Sequence, residues 1–272
     1  MLGKRLGVAA IVGITTLLGV SSALAQTAPS LGSAQSFGVL GGTTVTNTGP
    51  SVISGNVGVS PGAAITGFPP GTIAAGTGTT HAADAIALAA QTSTTTAYNT
   101  LAGEPCTMVL TGIDLGGLTL TPGVYCFATS AQLTGVLTLN ALGNPNAVFV
   151  FQIGSTLTTA SNSSIVFING GSECNVFWQV GSSATLGTTT AFKGNILALT
   201  SITLNTTVTM LGRTLARNGA VTLDTDTVNA SACFAAPPPP PPPVPTLSQW
   251  ATIALTLLLA VAGFTALRRR TA

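Results

Sequence analysis

Thr203-Leu204-Asn205-Thr206 and Thr222-Leu223-Asp224-Thr225 are two copies of one short unit, and the distance between them decides the fold. The same Thr-Leu-x-Thr pattern stands at Thr185-Leu186-Gly187-Thr188 and at Thr156-Leu157-Thr158-Thr159, so the starts lie 29, 18 and 19 residues apart. A recurrence of this length is the mark of stacked coils, each burying its apolar side against its neighbours. The last two intervals fit one coil each, and the first fits a coil with an inserted loop. Side chains alternate along a strand, so Leu157, Leu186, Leu204 and Leu223 point inward while the flanking threonines point out. The expected outward ladder is Thr156, Thr158, Thr185, Thr188, Thr203, Thr206, Thr222 and Thr225. A second alignment, of Gln152-Ile153-Gly154-Ser155 with Gln179-Val180-Gly181-Ser182, pairs Thr158 with Thr185 instead. Thr is also a good strand former, and an ordinary solvated β face reads the same way.

Outward from this repeat, the chain is mostly short β segments broken by Gly, Asn and Ser turns, at residues 38–45, 148–151, 165–168 and 176–178 among others. Residues 80–101 are the exception. They contain neither Gly nor Pro, and Ile86, Ala90, Ala97 and Leu101 recur at helical spacing. Thr79 or Thr80 is the expected cap, with Gly103 and Pro105 as the stop. The expected fold is therefore a mainly β solenoid with one long helix.

The two ends carry targeting signals. Residues 1–25 have a basic start at Lys4 and Arg5, an apolar stretch over 8–20 and a small-residue triplet, Ala23-Leu24-Ala25. This is the layout of a secretory signal peptide, with the mature chain beginning at Gln26. A single domain is expected over 26–236, of a size that supports a full core. Residues 237–245 form a proline-rich linker, beginning with seven consecutive prolines that favour a stiff polyproline II spacer. Residues 246–272 end the chain, with an uncharged apolar run at 251–267 followed by Arg268-Arg269-Arg270. That run is at the short limit for a membrane span, and the arginines would hold its end in the cytoplasm, placing it in the inner membrane before processing.

Within the domain, Lys193, Arg213 and Arg217 face six carboxylates, Asp84, Glu104, Asp114, Glu173, Asp224 and Asp226. The overall excess of cations therefore belongs to the ends. Without a basic patch to neutralise phosphates, nucleic acid is excluded as a partner. Solubility must come from Thr, Ser and Asn. The cysteines Cys106, Cys126, Cys174 and Cys233 are an even set in an exported chain, and four cysteines allow three pairings. Cys106–Cys126 with Cys174–Cys233 is favoured, because the first pair closes a short local loop. No CxxC pair exists and the single histidine, His81, has no companion ligand, so neither a metal nor another cofactor is expected.

Catalysis is not expected either. Asp224 and Asp226 are two residues apart on one strand and read as outward polar residues, while Asp114 and Glu173 are isolated and expected in loops. His81 opens the expected helix with no nucleophile motif beside it.

Several stretches carry a family resemblance: residues 31–40 (LGSAQSFGVL), 46–50 (TNTGP), 55–62 (GNVGVSPG), 67–71 (GFPPG), 120–125 (LTPGVY), 175–182 (NVFWQVGS) and 213–221 (RTLARNGAV). Together, over about residues 31 to 230, the domain resembles the microbial ice-binding proteins of the discontinuous β-solenoid type. That resemblance implies that residues 31–66 join coils formed by the C-terminal half, with the helix lying alongside. It also implies ice adsorption through a flat face of outward Thr, Ser and Asn. Of the Thr-Ala/Gly-x-Thr/Asn units of that family, the chain has Thr77-Gly78-Thr79-Thr80, expected at the helix cap, and Thr159-Ala160-Ser161-Asn162, expected on a face or corner. The tail resembles bacterial sorting signals of the Ile-Pro-Thr-Leu type, reading Val244-Pro245-Thr246-Leu247 here. This implies a Gram-negative secreted or surface protein, handled by dedicated C-terminal processing machinery. The partner so implied is an ice crystal surface; a non-enzymatic adhesin or matrix protein using the same face is the rival. Few aromatic residues are available for sugar stacking, with two Trp and two Tyr in the chain.

Overall fold

The structure, a computed structural model, describes residues 28–234. The signal peptide, the proline linker and the sorting segment expected from the sequence lie outside the described residues. Each coil places strands in three parallel stacks. The first contains Met108–Val109, Gly123–Phe127, Phe149–Ile153, Val176–Val180, the second halves of Ala191–Ala198 and Thr209–Ala216, then Phe37–Gly41, Asn56–Val59 and Thr80–Ala82. The second contains Thr119–Leu120, Val136–Asn140, Ser164–Ile168, the first halves of the same two long strands, then Thr227–Asn229, Val52–Ser54 and Thr72–Ile73. The third is a separate seven-stranded sheet: Ala131–Leu133, Leu157–Thr159, Ala184–Leu186, Ile202–Leu204, Val221–Asp224, Thr44–Thr48 and Ala64–Thr66.

The two long strands turn from the second stack into the first at Gly194 and Gly212, whose φ values are 112° and 138°. A Cβ on Gly212 would lie 2.0 Å from the Gly194 carbonyl oxygen, so the stacked corner has room for glycine alone. The coil order is not the chain order. Val39 pairs with Thr214, Val45 with Val221 and Val52 with Thr227, so the N-terminal segment stacks on the last C-terminal coil.

Register corrects the repeat. Leu157 lies beside Ala184, and Thr158 beside Thr185, an interval of 27 residues. The first tetrapeptide is thus offset by two positions from the others, and the pairing of Gln152 with Gln179 is the one present. These longer coils fill their interior with rings. Phe151 stacks on Trp178 with centroids 3.8 Å apart, flanked by Tyr125 and Phe192. Above Trp178, Ile196 takes over in the 18-residue coil, and Met210 stands above Phe192 in the next.

The helix is Ala85–Ala102, five residues shorter at its start than expected. Thr80–Ala82, with His81, forms a strand against Asn56–Val59 instead. Neither Thr79 nor Thr80 is the cap: Asp84 accepts from the Ala87 N–H at 2.8 Å. A carboxylate is as good a cap as any residue and interacts favourably with the helix dipole, so it sets the boundary. Gly103 is the C-cap. Ala90, Ala97, Tyr98 and Leu101 pack on Leu40, Leu215, Leu197, Phe177, Val150 and Val124 of the first stack, whereas Ile86 faces out. The Gln91 amide donates to the Gly41 and Ala216 carbonyls, both at 2.9 Å.

Two disulfides and one arginine fasten the ends. Cys106 is bonded to Cys126 and Cys174 to Cys233, with Cα separations of 5.9 and 5.2 Å. Arg213 is buried, and burial lowers its pKa to about 10. It donates to the Gln35 carbonyl through Nε and Nη2, to the Cys233 carbonyl through Nη2 and to Asn195 Oδ1 through Nη1. The two ends of the described chain are therefore tied to one coil.

Candidate functional site

The third sheet is an uncovered, hydroxylated side of the coils. In strict register, Gln132, Thr158, Thr185, Thr203, Thr222, Thr46 and Thr66 form one outward row across its seven strands. Adjacent rungs are about 4.7–4.9 Å apart in such a ladder. Directly inward of it, Leu157, Ala184, Ile202, Val221 and Val45 on one side and Leu133, Leu186, Leu204 and Leu223 on the other are buried. That packing fixes the strands from below. Thr46, Thr66 and Thr158 are exposed, and Thr185, Thr203 and Thr222 are half-buried by their neighbours. Among the described residues, none of these six hydroxyls donates to or accepts from another protein group, which leaves them to water. The seven strands hold no aromatic residue, and their one charged residue is Asp224.

The eight threonines read from the repeat fall in different places. Thr158, Thr185, Thr203 and Thr222 share the central row. Thr156 precedes its strand at the sheet margin, where its hydroxyl is 2.8 Å from Ser130 Oγ. Thr188, Thr206 and Thr225 lie at the corner where the coil leaves the sheet. The corner backbone bonds Thr189 N–H to Thr206 O, Thr207 N–H to Asp224 O and Thr225 N–H to Thr48 O align Thr188, Thr206, Asp224 and Thr48 in a second line. Thr225 belongs one position further on, beside Thr207 and Thr189; all three have φ near +60°, as does Asn162. Left-handed backbone is costly for a β-branched residue. Thr189 and Thr207 answer it with hydroxyl bonds to the preceding carbonyl, both 2.6 Å. Of the two four-residue family units, one has Thr159 buried and Asn162 exposed at this corner, and in the other Thr77 closes a turn by donating to Ala74 O.

Thr46 and Thr66 were not legible from Thr-Leu-x-Thr, because the residue after them is Asn47 and Gly67. The signal they share with two other rungs precedes the threonine: in Thr44-Val45-Thr46, Ala64-Ile65-Thr66, Ser201-Ile202-Thr203 and Ala220-Val221-Thr222 an alanine, serine or threonine is followed by a β-branched apolar residue and Thr.

Asp224 and Asp226 do not share an outward face. Asp226 turns inward at the corner and is 1% exposed. Its Oδ1 accepts from Val208 N–H at 2.8 Å and its Oδ2 from Asp224 N–H at 2.7 Å. Burial outweighs those bonds and raises its pKa to about 7. Asp224 stays at the surface, accepting from the Thr206 hydroxyl at 2.5 Å and the Thr225 hydroxyl at 3.2 Å. His81 Nδ1 is 2.8 Å from Asp84 Oδ2, and its Nε2 is 3.1 Å from the Thr79 hydroxyl. Asp84 is engaged as helix cap, which lowers its pKa through the Ala87 N–H, so this trio fastens a strand to a helix end. Asp114 is likewise a loop brace, accepting from Gly116 and Thr134 N–H.

Residues 39–229 match the family described as ice-binding-like, and residues 242–270 match the IPTL-CTERM motif. An ice-binding protein of Nostoc sp. (strain HG1) is 64% identical over 208 residues, 76% of each chain. A crystal structure of an ice-binding protein from an Antarctic biological consortium is similar at 49% identity and a TM-score of 0.71, covering 74% of this chain and 90% of that one. Another, from the Antarctic ascomycete Antarctomyces psychrotrophicus, is 42% identical with a TM-score of 0.72, over 75% and 98% of the two chains.

Proposed function

We propose, for a chain that belongs to the ice-binding-like family and carries a C-terminal sorting motif, that it adsorbs to ice through the third sheet. On this reading it inhibits crystal growth or recrystallisation and has no catalytic role. The observation that carries the reading is the unbroken row of six threonines with free hydroxyls on a rigid, nearly charge-free sheet. Threonine methyls restrict adjacent water and hydroxyls anchor it, so a layer ordered at the rung spacing can merge with a crystal surface. Ordered bridging waters bind nearly as well as direct hydrogen bonds, so the contact does not require the protein to touch every crystal oxygen. Relatives bearing the name ice-binding protein support the partner.

The motif at residues 242–270 implies a sorting machinery, and an extracellular or surface location accords with it. We place the protein on a Gram-negative cell surface or beyond it, exported by residues 1–25 and held in the inner membrane by residues 251–267 until processing. Among the described residues, no helix is long and apolar enough to cross a membrane.

Ice shaping and recrystallisation by the purified protein, against a heat-unfolded control, test the reading. Shaped crystals and arrested recrystallisation are expected. Growth indistinguishable from the control would leave a surface adhesive or matrix role. Thr203→Tyr, at the middle of the row, is expected to abolish the activity while the melting temperature holds; full activity in a folded variant would move the site off this sheet.

A further inference from the structure

We infer that Asp224 marks the lateral limit of the ice-contacting surface and so restricts which crystal planes the sheet can adsorb to. The inference rests on the ice-binding reading and deepens it. Beside the central row runs the line Thr188, Thr206, Asp224 and Thr48. Its three threonines are exposed and have the same chemistry as the main row. The only interruption in that line is the carboxylate.

That carboxylate has no cationic partner. Among the described residues, Lys193 lies over the Phe167 ring, Arg217 over the Tyr98 ring, and Arg213 is buried against carbonyls and Asn195. The ion pair present is His81 with Asp84, on another stack. Asp224 holds two hydroxyls instead, those of Thr206 and Thr225, and is half-exposed. An ice surface pressed across this line must strip water from an unpaired anion, which costs far more than desolvating a hydroxyl. Contact across the Thr222 row requires no such loss. The boundary therefore falls between Thr222 and Asp224, two residues apart on one strand. With a neutral residue at 224, the second line becomes continuous and the contact area gains a row.

The test uses the purified full chain with Asp224→Asn, Asp224→Thr and, as a control, Thr48→Asp, which adds an anion to a line the wild-type contact already excludes. The Asp224 variants are expected to halt recrystallisation at about one-tenth of the wild-type concentration, the equivalent of about 1.4 kcal/mol. Fluorescently labelled protein on a single-crystal ice hemisphere should stain planes that the wild type leaves dark. Thr48→Asp should act at the wild-type concentration, because the wild-type contact already stops short of that line. Asp224 variants that melt like the wild type but are no more active, with an unchanged plane pattern, overturn the inference. Should they fail to fold, a folded Thr48→Asp with diminished activity overturns it equally, because the wild-type contact would then include that line. A wild type that leaves ice unaltered overturns the underlying reading, whereas an active wild type with inert Asp224 substitutions overturns only the role given to Asp224.

Discussion

The first and third stacks are built from the same coils, yet one is hidden under a helix and the other faces water. Their interiors are alike, apolar and closely packed. The difference lies in the outward positions: Val124, Val150, Phe177, Leu197, Leu215 and Leu40 on one side, and Thr158, Thr185, Thr203, Thr222, Thr46 and Thr66 on the other. The helix fits the first set in length. Its 18 residues span about 27 Å, against about 24 Å for the five inter-strand steps from Gly123–Phe127 to Phe37–Gly41. A solenoid side thus becomes either core or working surface by its outward residue type alone, with no change of backbone geometry.

Exchange of character between the two sides should have unequal effects. Leu197→Asp, which buries an unpaired charge under the helix, is expected to cost about 3–5 kcal/mol. By differential scanning calorimetry that is a melting temperature roughly 10 °C lower for a domain of this size. Thr203→Tyr on the open side should leave melting nearly unchanged while activity disappears. A small effect of Leu197→Asp would mean that the helix is a loosely held cover, and the contrast between the sides would lose its basis.

A smaller effect is expected at the corner of the open side. Burial raises the folded pKa of Asp226 to about 7, well above the ordinary aspartate range, so the fold favours the protonated acid. The resulting stability is fully present below the unfolded value and is lost as pH rises through the folded one. Melting temperature should therefore fall between about pH 4 and pH 8, and Asp226→Asn should flatten that slope. A wild-type profile that rises across this window would show Asp226 ionised in the fold. The smallest effect is expected at the covered side's entry point. Asp84→Ala, which removes the helix cap, should cost about 1 kcal/mol, roughly 2–4 °C in melting temperature, and leave ice activity alone.

The covered side was easier to read than the open one. A residue run without Gly or Pro and with apolar spacing reveals a helix, and the 18- and 19-residue recurrence reveals coils. The start of the helix was misplaced because Thr80–Ala82 pairs with a strand distant in sequence, a tertiary preference that local pattern does not carry. Four of the six threonines in the row are legible in the repeat, and the other two are hidden for a similar reason. Thr46 and Thr66 join it only through the pairing of Thr44–Thr48 with Val221–Asp224, across more than 170 residues. Thr206 and Thr225 look equivalent in the repeat, but Leu223 and Thr225 are separated by one residue where Leu204 and Thr207 are separated by two. Only register shows that shortening, and it also turns Asp226 inward.

The stacking of residues 37–54 on the last coil also bears on how the molecule comes into being. Val39 has Val57 close by in sequence but waits for Thr214, and Thr46 has Thr66 but waits for Thr222, so during synthesis the first strands made gain their second neighbour late. Contacts this distant in sequence are slow to form, because a large loop must close before any of them is rewarded. A chain stopped at residue 212 lacks Arg213 and the strand on which Val39 and Leu40 rest. It can hold the row only in two pieces, Gln132 to Thr203 and Thr46 with Thr66, never as one continuous row. The open face is thus completed only after residues 221–224 have been made, close to the end of the described chain.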